Sequence, residues 1–241
     1  NGKIAMKFED DHATTTLINA RIASNDDDVM LVTNSGRAIR FPATDVRVFN
    51  SRASVGVRGI KLNGDDKVVS MSILRHFDAT SDERSAYLKM RRAVAGLADD
   101  ADTPAEDEEV NANATISQER YAQMSAAENL LLTISEKGSG KLSSSHDYPV
   151  RGRGGLGVAA MDRAMRGGDI VASFPVELDD QIMLATSKGQ SIRVPVEGIS
   201  FRSRSAGGVK VFDTGRGEVV VSVARIADQG DATVETDADD A

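Results

Sequence analysis

One pattern occurs three times in this sequence, and it leaves few folds open: an apolar strand, a Gly turn, a strand bearing Arg or Lys, a polar loop, Gly-Val and a closing apolar strand. The first copy runs Val29-Met30-Leu31-Val32-Thr33-Asn34-Ser35-Gly36-Arg37-Ala38-Ile39-Arg40-Phe41-Pro42, then Gly56-Val57-Arg58-Gly59-Ile60-Lys61, then Val68-Val69-Ser70-Met71. The third runs Ile182-Met183-Leu184-Ala185-Thr186-Ser187-Lys188-Gly189-Gln190-Ser191-Ile192-Arg193-Val194-Pro195, then Gly208-Val209-Lys210-Val211, then Val220-Val221-Ser222-Val223. The second is looser: Leu130-Leu131-Leu132-Thr133, a turn at Lys137-Gly138, Lys141 in the place of Arg40 and Arg193, Gly157-Val158, and Asp169-Ile170-Val171. Four short strands about every 50 residues predict an all-β, propeller-like array of antiparallel blades, each burying an apolar face against its neighbours.

The Gly-Val pairs fall at 56, 157 and 208, so one interval is about twice the other. The excess matches an insertion at 77–128, where Arg84–Ala93 and Ile116–Ala122 read as helical and the acidic run between them, Ala98–Glu109, is expected to be disordered. Blades are expected at about 23–76, 129–176 and 177–226. Residues 1–22 resemble the end of a further blade, which predicts missing blades upstream, and 227–241 form an acidic tail expected to be disordered, either solvated or acting as the mimic of an anionic partner that competes for a basic surface.

The net charge of −8 argues against a nucleic-acid partner until it is divided along the chain. Residues 78–128 hold 12 acidic and 5 basic side chains and 227–241 hold 6 acidic and none basic, which leaves the remainder with 24 basic and 19 acidic. A basic body with acidic appendages suits a polyanion. No apolar run is long enough for a membrane helix, no leader opens the chain, and Cys is absent, so a cytoplasmic fragment without disulfides or thiolate metal sites is expected. Three scattered His residues argue against a metal site.

No catalytic constellation emerges. Ser145-His146-Asp147 is no triad, since neighbours on an extended chain point to opposite faces. Arg120-Tyr121 imitates the cleavage pair of type II topoisomerases but lies in the insertion, without a winged-helix context or metal-binding carboxylates. His12 and His76 have no evident partners in the sequence, and the Met residues read as core filler.

The repeats, from Asp28-Val29-Met30-Leu31-Val32-Thr33 through Val57-Arg58-Gly59-Ile60-Lys61-Leu62 to Gly64-Asp65-Asp66-Lys67-Val68-Val69-Ser70, resemble the C-terminal domain of bacterial DNA gyrase A subunits over about 175 residues. The resemblance implies a β-pinwheel, a propeller look-alike with strands exchanged between blades, whose outer rim wraps duplex DNA. It also implies an A2B2 holoenzyme, formed with the B subunit plus the rest of the A subunit, that introduces negative supercoils in the nucleoid. ATP and Mg2+ would be used by other parts of that enzyme, with no cofactor in this chain.

Arg151-Gly152-Arg153-Gly154-Gly155-Leu156-Gly157 resembles a degenerate form of that family's Gln-Arg-Arg-Gly-Gly-Lys-Gly box, without the opening Gln and late Lys. It either binds DNA or shapes a loop. The expected DNA contacts are Arg37, Arg40, Arg47, Arg52, Arg58 and Lys61 in the first repeat; Lys137, Lys141, Arg151, Arg153 and Arg163 in the second; and Lys188, Arg193, Arg202, Arg204 and Lys210 in the third. Recurrence at equal repeat positions separates them from ordinary surface charge, and phosphate contact by counterion release needs no base reading. The alternatives are the corresponding domain of topoisomerase IV and a propeller-type protein scaffold.

Overall fold

The computed structural model describes residues 2–8, 15–95, 111, 113–164 and 167–227. Their eleven strands form three antiparallel sheets, two of four strands and one of three. In the first blade, β1 (Asp27–Thr33) lies between β2 (Arg37–Pro42) and β3 (Val68–Arg75). In the second, β4 (Leu130–Ser135) lies between β5 (Ser139–Ser144) and β7 (Ile170–Val176), and in the third β8 (Gln181–Thr186) lies between β9 (Ser191–Pro195) and β11 (Val220–Ile226).

The fourth strand of a blade comes from the next repeat. The Gly-Val strand β6 (Val158–Ala159) pairs with β2 of the first blade, and β10 (Val209–Lys210) pairs with β5 of the second. Gly explains how the donated strand fits. Gly157 and Gly208 have φ of 70° and 77°, and a Cβ on Gly208 would stand 2.7 Å from the Gly140 carbonyl oxygen, while one on Gly157 would collide with that of Ala38. Only a residue without a side chain lets the two backbones close.

Each hairpin turns the same way: Gly36, Gly138 and Gly189 donate their N–H to Thr33, Ser135 and Thr186 at 3.0 Å, all with positive φ. Counted from those turns, Met30–Arg40, Leu132–Leu142 and Met183–Arg193 are equivalent cross-strand pairs. Leu142, not Lys141, therefore stands in the place of Arg40 and Arg193, which corrects the sequence expectation. The first blade's loop from hairpin Gly to Gly-Val is one residue longer than the others, so alignment on Gly-Val displaces the hairpin by one and turns a side chain to the opposite face.

Apolar residues of successive sheets interlock. Met30, Val32, Ala38 and Leu74 pack with Leu131, Tyr148, Val158 and Ile170, and Leu132, Ile134, Leu142 and Val176 pack with Ile182, Leu184 and Val196. Strand β7 lies alongside both β3 and β11. The sheets thus converge along β3, β7 and β11 and splay toward β6 and β10, which mark the outer edge of the fan.

Two helices interrupt the array between β3 and β4: α1 (Ser81–Val94) and α2 (Gln118–Ala127). Thr80 and Glu83 form a reciprocal capping box on α1, and the Ser117 side chain caps α2 by accepting from the Arg120 N–H. Residues 2–8 and 15–22 form no strand, although the Lys7 N–H reaches the Ser54 carbonyl at 3.2 Å. The acidic run, His12 and the stretch from Asp228 to the end of the tail lie outside the described residues.

Candidate nucleic-acid interface

The 16 basic positions singled out in the sequence separate by burial. Arg40, Lys141 and Arg204 are 3%, 0% and 3% exposed, and their charged groups face inward. Arg40 Nε donates to Asp28 at 2.8 Å, one Nη to the Ser145 carbonyl of the next blade at 2.7 Å, and the other to the Arg75 carbonyl at 2.9 Å. Burial pulls the Arg40 pKa down, opposed by the Asp28 carboxylate. Lys141 Nζ donates to the carbonyls of Ser203, Arg204 and Ala206, all within 2.7 Å.

Arg204 Nε donates to the Asp147 carbonyl at 2.8 Å and Nη1 to the Ala159 carbonyl at 2.8 Å. These three donor sets are consumed in joining repeats, so Arg40, Lys141 and Arg204 are corrected from phosphate contacts to structural residues. A guanidinium satisfied by buried carbonyls cannot also meet a phosphate without leaving those carbonyls unpaired.

The equivalent contact recurs one blade earlier. Arg153, 51 residues before Arg204, donates Nε to the Asp45 carbonyl at 2.9 Å and Nη1 to the Arg58 carbonyl at 3.0 Å. The glycine-rich loop of the second repeat is therefore a clasp on the first blade: the Gly154 N–H donates to the Gly59 carbonyl, and the Gly155 carbonyl accepts from the Lys61 N–H at 2.8 Å. Unlike Arg204, Arg153 remains exposed. Gly152, Gly155 and Leu156 are exposed with it, while Gly154 and Gly157 are half-buried.

The remaining basic groups reach the surface. Arg37, Lys137 and Lys188 stand at the hairpin turns of the three blades. Arg37 pairs with Ala159 of the donated strand and Lys210 pairs with Ser139, so hairpin turn and outer edge meet at one corner of a blade. Arg58, Lys61, Arg151 and Arg163 are exposed along the Gly-Val strands and their flanking loops, and Arg202, equivalent to Arg151, is half-buried.

Arg47 and Arg52 lie exposed in the first long loop, Arg47 stacked over Phe49 at 4.6 Å. Arg193 is exposed on the side of the third sheet opposite the second blade, where no further described sheet covers it. Two cations at the hairpin end of the blades, on the side of the converging strands, escaped the sequence reading: exposed Lys67, whose carbonyl accepts from the Asn34 N–H, and exposed Arg216, whose carbonyl accepts from Lys188 Nζ at 2.7 Å. Each lies just ahead of a closing strand, which was the available signal.

Ser145-His146-Asp147 forms a short turn, with His146 buried and Nε2 donating to the Met124 carbonyl at 2.8 Å rather than facing a nucleophile. Tyr121 stacks on Tyr87, and Arg120 pairs with Glu83. His76 Nδ1 donates to Asp28 at 2.8 Å, so this His has a partner that the sequence did not disclose. Among the described residues there is no cluster of three or more His, Asp or Glu able to hold a metal ion, and no helix long and apolar enough to cross a membrane.

The family described as "DNA gyrase C-terminal domain, beta-propeller" matches residues 27–75, 129–174 and 180–227. The chain is 44% identical over 234 residues to the DNA gyrase A subunit of Granulibacter bethesdensis, covering 92% of the chain and 25% of that protein. It is 37% identical to the DNA gyrase A subunit of Rickettsia bellii, covering 96% of the chain and again 25% of the relative. It thus spans about a quarter of their length. The crystal structure of the C-terminal domain of DNA topoisomerase IV superposes with a TM-score of 0.64 at 17% identity, covering 92% of this chain and 52% of that one, a likeness of fold.

Proposed function

Because this chain belongs to the DNA gyrase A C-terminal domain family, we propose that it binds and bends duplex DNA along the outer edge of its blades, with little regard to sequence. The observation that carries this reading is the recurrence of exposed cations at the hairpin end of each blade: Arg37 and Lys67, Lys137 and Lys210, Lys188 and Arg216, of which Arg37 and Lys210 lie on the outer strand pairs. A fan that splays toward that edge presents successive corners along an arc. Bending 20 to 30 base pairs by 40 to 90° costs roughly 1–6 kcal/mol, which many modest phosphate contacts offset where one strong contact would not.

The wrapped segment would serve an A2B2 enzyme that introduces negative supercoils with ATP on the cytoplasmic chromosome. The nucleophile, nucleotide site and metal site would lie on the B subunit or on the rest of the A subunit. Arg151 and Arg153 contribute at the same edge, Arg153 after giving two of its donors to the clasp.

The test is a salt titration of DNA affinity for the charge-reversed triple variant Arg37→Glu, Lys137→Glu, Lys188→Glu. The expected result is weaker binding and a salt slope reduced by about 0.9 for each lost phosphate contact. An unchanged slope removes the hairpin corners from the site, and absence of binding by the parent chain at low salt favours a protein-binding scaffold.

A further inference from the structure

The two junctions between blades differ in covalent length. From β7 to β8 the chain needs only 177–180, but from β3 to β4 it runs from His76 to Asn129. Its ends nevertheless lie side by side: the Arg75 N–H donates to Asn129 Oδ1 at 3.2 Å. A connection as short as 177–180 would close this junction, so the inserted helices are not required to span it.

They are instead built as one unit and fastened to all three repeats. Arg120 joins the helices, with Nε on Glu83 at 2.9 Å and its guanidinium 4.7 Å above the Phe77 ring, and Tyr87 meets Tyr121 with ring centres 5.1 Å apart. On the first repeat, Arg75 Nη1 donates to the Ala126 carbonyl at 2.8 Å. On the second, buried His146 donates to the Met124 carbonyl, and its ring meets the edges of Tyr87 at 5.0 Å and Phe77 at 5.7 Å.

On the third, Arg91 lies 3.8 Å over the ring of Phe201, and its Nε donates to Glu128 at 2.8 Å. Phe201 is where the third repeat crosses onto the second blade: it bridges Leu142 of β5, just ahead of the donated strand β10. We propose that α1 and α2 form a brace that fixes the pitch between successive blades. The Arg91–Phe201 contact holds the donated segment of the third repeat, and the His146–Met124 contact holds the second blade against the first.

The brace would act on the path of the DNA rather than on its grip, and to that extent it rests on the proposed function. A rigid-body change between blades moves one cationic corner relative to the next and leaves every cation in place. A variant brace should therefore alter the writhe retained by bound plasmid while the salt slope stays the same.

Geometry can be read without DNA. The chain has no cysteine, so Asn63→Cys and Gln190→Cys place one spin label on the first repeat and one on the third, both at exposed positions. Pulsed dipolar spectroscopy of this chain should give one narrow distance. Arg91→Ala and Phe201→Ala should each broaden or shift it, and Arg91→Lys, which keeps a cation over the ring, should retain the narrow distance.

Replacing 78–127 with the sequence of 177–180 should spread it further; if that chain does not fold, the single variants decide. An unchanged distance in Arg91→Ala and Phe201→Ala overturns the brace. Failure of the parent chain to bind DNA would instead overturn the proposed function, and the distance measurement would still decide the brace.

Discussion

At equivalent positions the junction between the first and second blades is polar where the junction between the second and third is apolar, although one repeat pattern built both and each also holds an apolar cluster. Arg40 and Ser145 meet at the first. Their equivalents at the second are Leu142 and Val196, which share a hydrophobic cluster. Arg40 is held by Asp28, and Asp28 by His76, whereas Leu130 takes the place of Asp28 in the second blade. Only the polar junction carries the inserted helices. A buried charge network is a weak source of net stability but a costly thing to break, whereas an apolar junction loses stability in proportion to what is removed.

The largest effect should follow from breaking the network on one side. Arg40→Ala leaves Asp28 buried beside a vacated guanidinium site and should cost about 3–5 kcal/mol in urea denaturation. Converting the junction to its neighbour's chemistry with Asp28→Leu and Arg40→Leu together should recover most of that loss. If the double variant is no more stable than Arg40→Ala, the two junctions are not interchangeable.

At the apolar junction, Leu142→Ala should cost about 2–5 kcal/mol by calorimetry, with no charge substitution able to rescue it. A smaller change, about 1 kcal/mol, is expected from Ser117→Ala, which removes the α2 cap. It should act on the first junction, and hydrogen exchange should show faster opening of α2 with β8 and β9 unaffected.

The two His residues of the polar junction should respond to pH in opposite directions. Burial holds the His146 pKa below its ordinary value, so the unfolded chain binds the proton more readily, and stability should fall as pH drops below about 6.5. The Asp28 hydrogen bond raises the pKa of His76, so its contribution is complete below about 6.5 and is lost as pH rises through the higher folded value. Half-exposed, His76 should contribute the lesser part. His146→Gln should flatten the loss of Tm between pH 7 and 5.5; an undiminished loss would assign the acid sensitivity elsewhere.

Much of the fold was legible because strand patterning, turn glycines and the Gly-Val pairs recur in the same order. The helices also left local marks: α1 covers Arg84–Ala93 behind the Thr80 cap, and Ser117 caps α2 just after Ile116. Strand exchange entered only through family resemblance, since alternation tells which face a residue takes and not which blade receives the strand. The interface was less legible. Arg40 and Arg193 occupy the same register, yet the second blade covers one and leaves the other exposed. Arg153 and Arg204 read as surface charge although their donors serve carbonyls of the preceding repeat, contacts 45 to 108 residues away in sequence.

Donation of each Gly-Val strand to the preceding sheet also sets an order of assembly. During synthesis the first three strands of the opening sheet leave the ribosome by Arg75, but its last edge stays open until Ala159 has emerged. Over that interval the nascent chain carries an unpaired β-edge able to recruit another chain. The helices at 81–94 and 118–127 are made within the same interval, so they can settle against the open sheet before its final strand arrives.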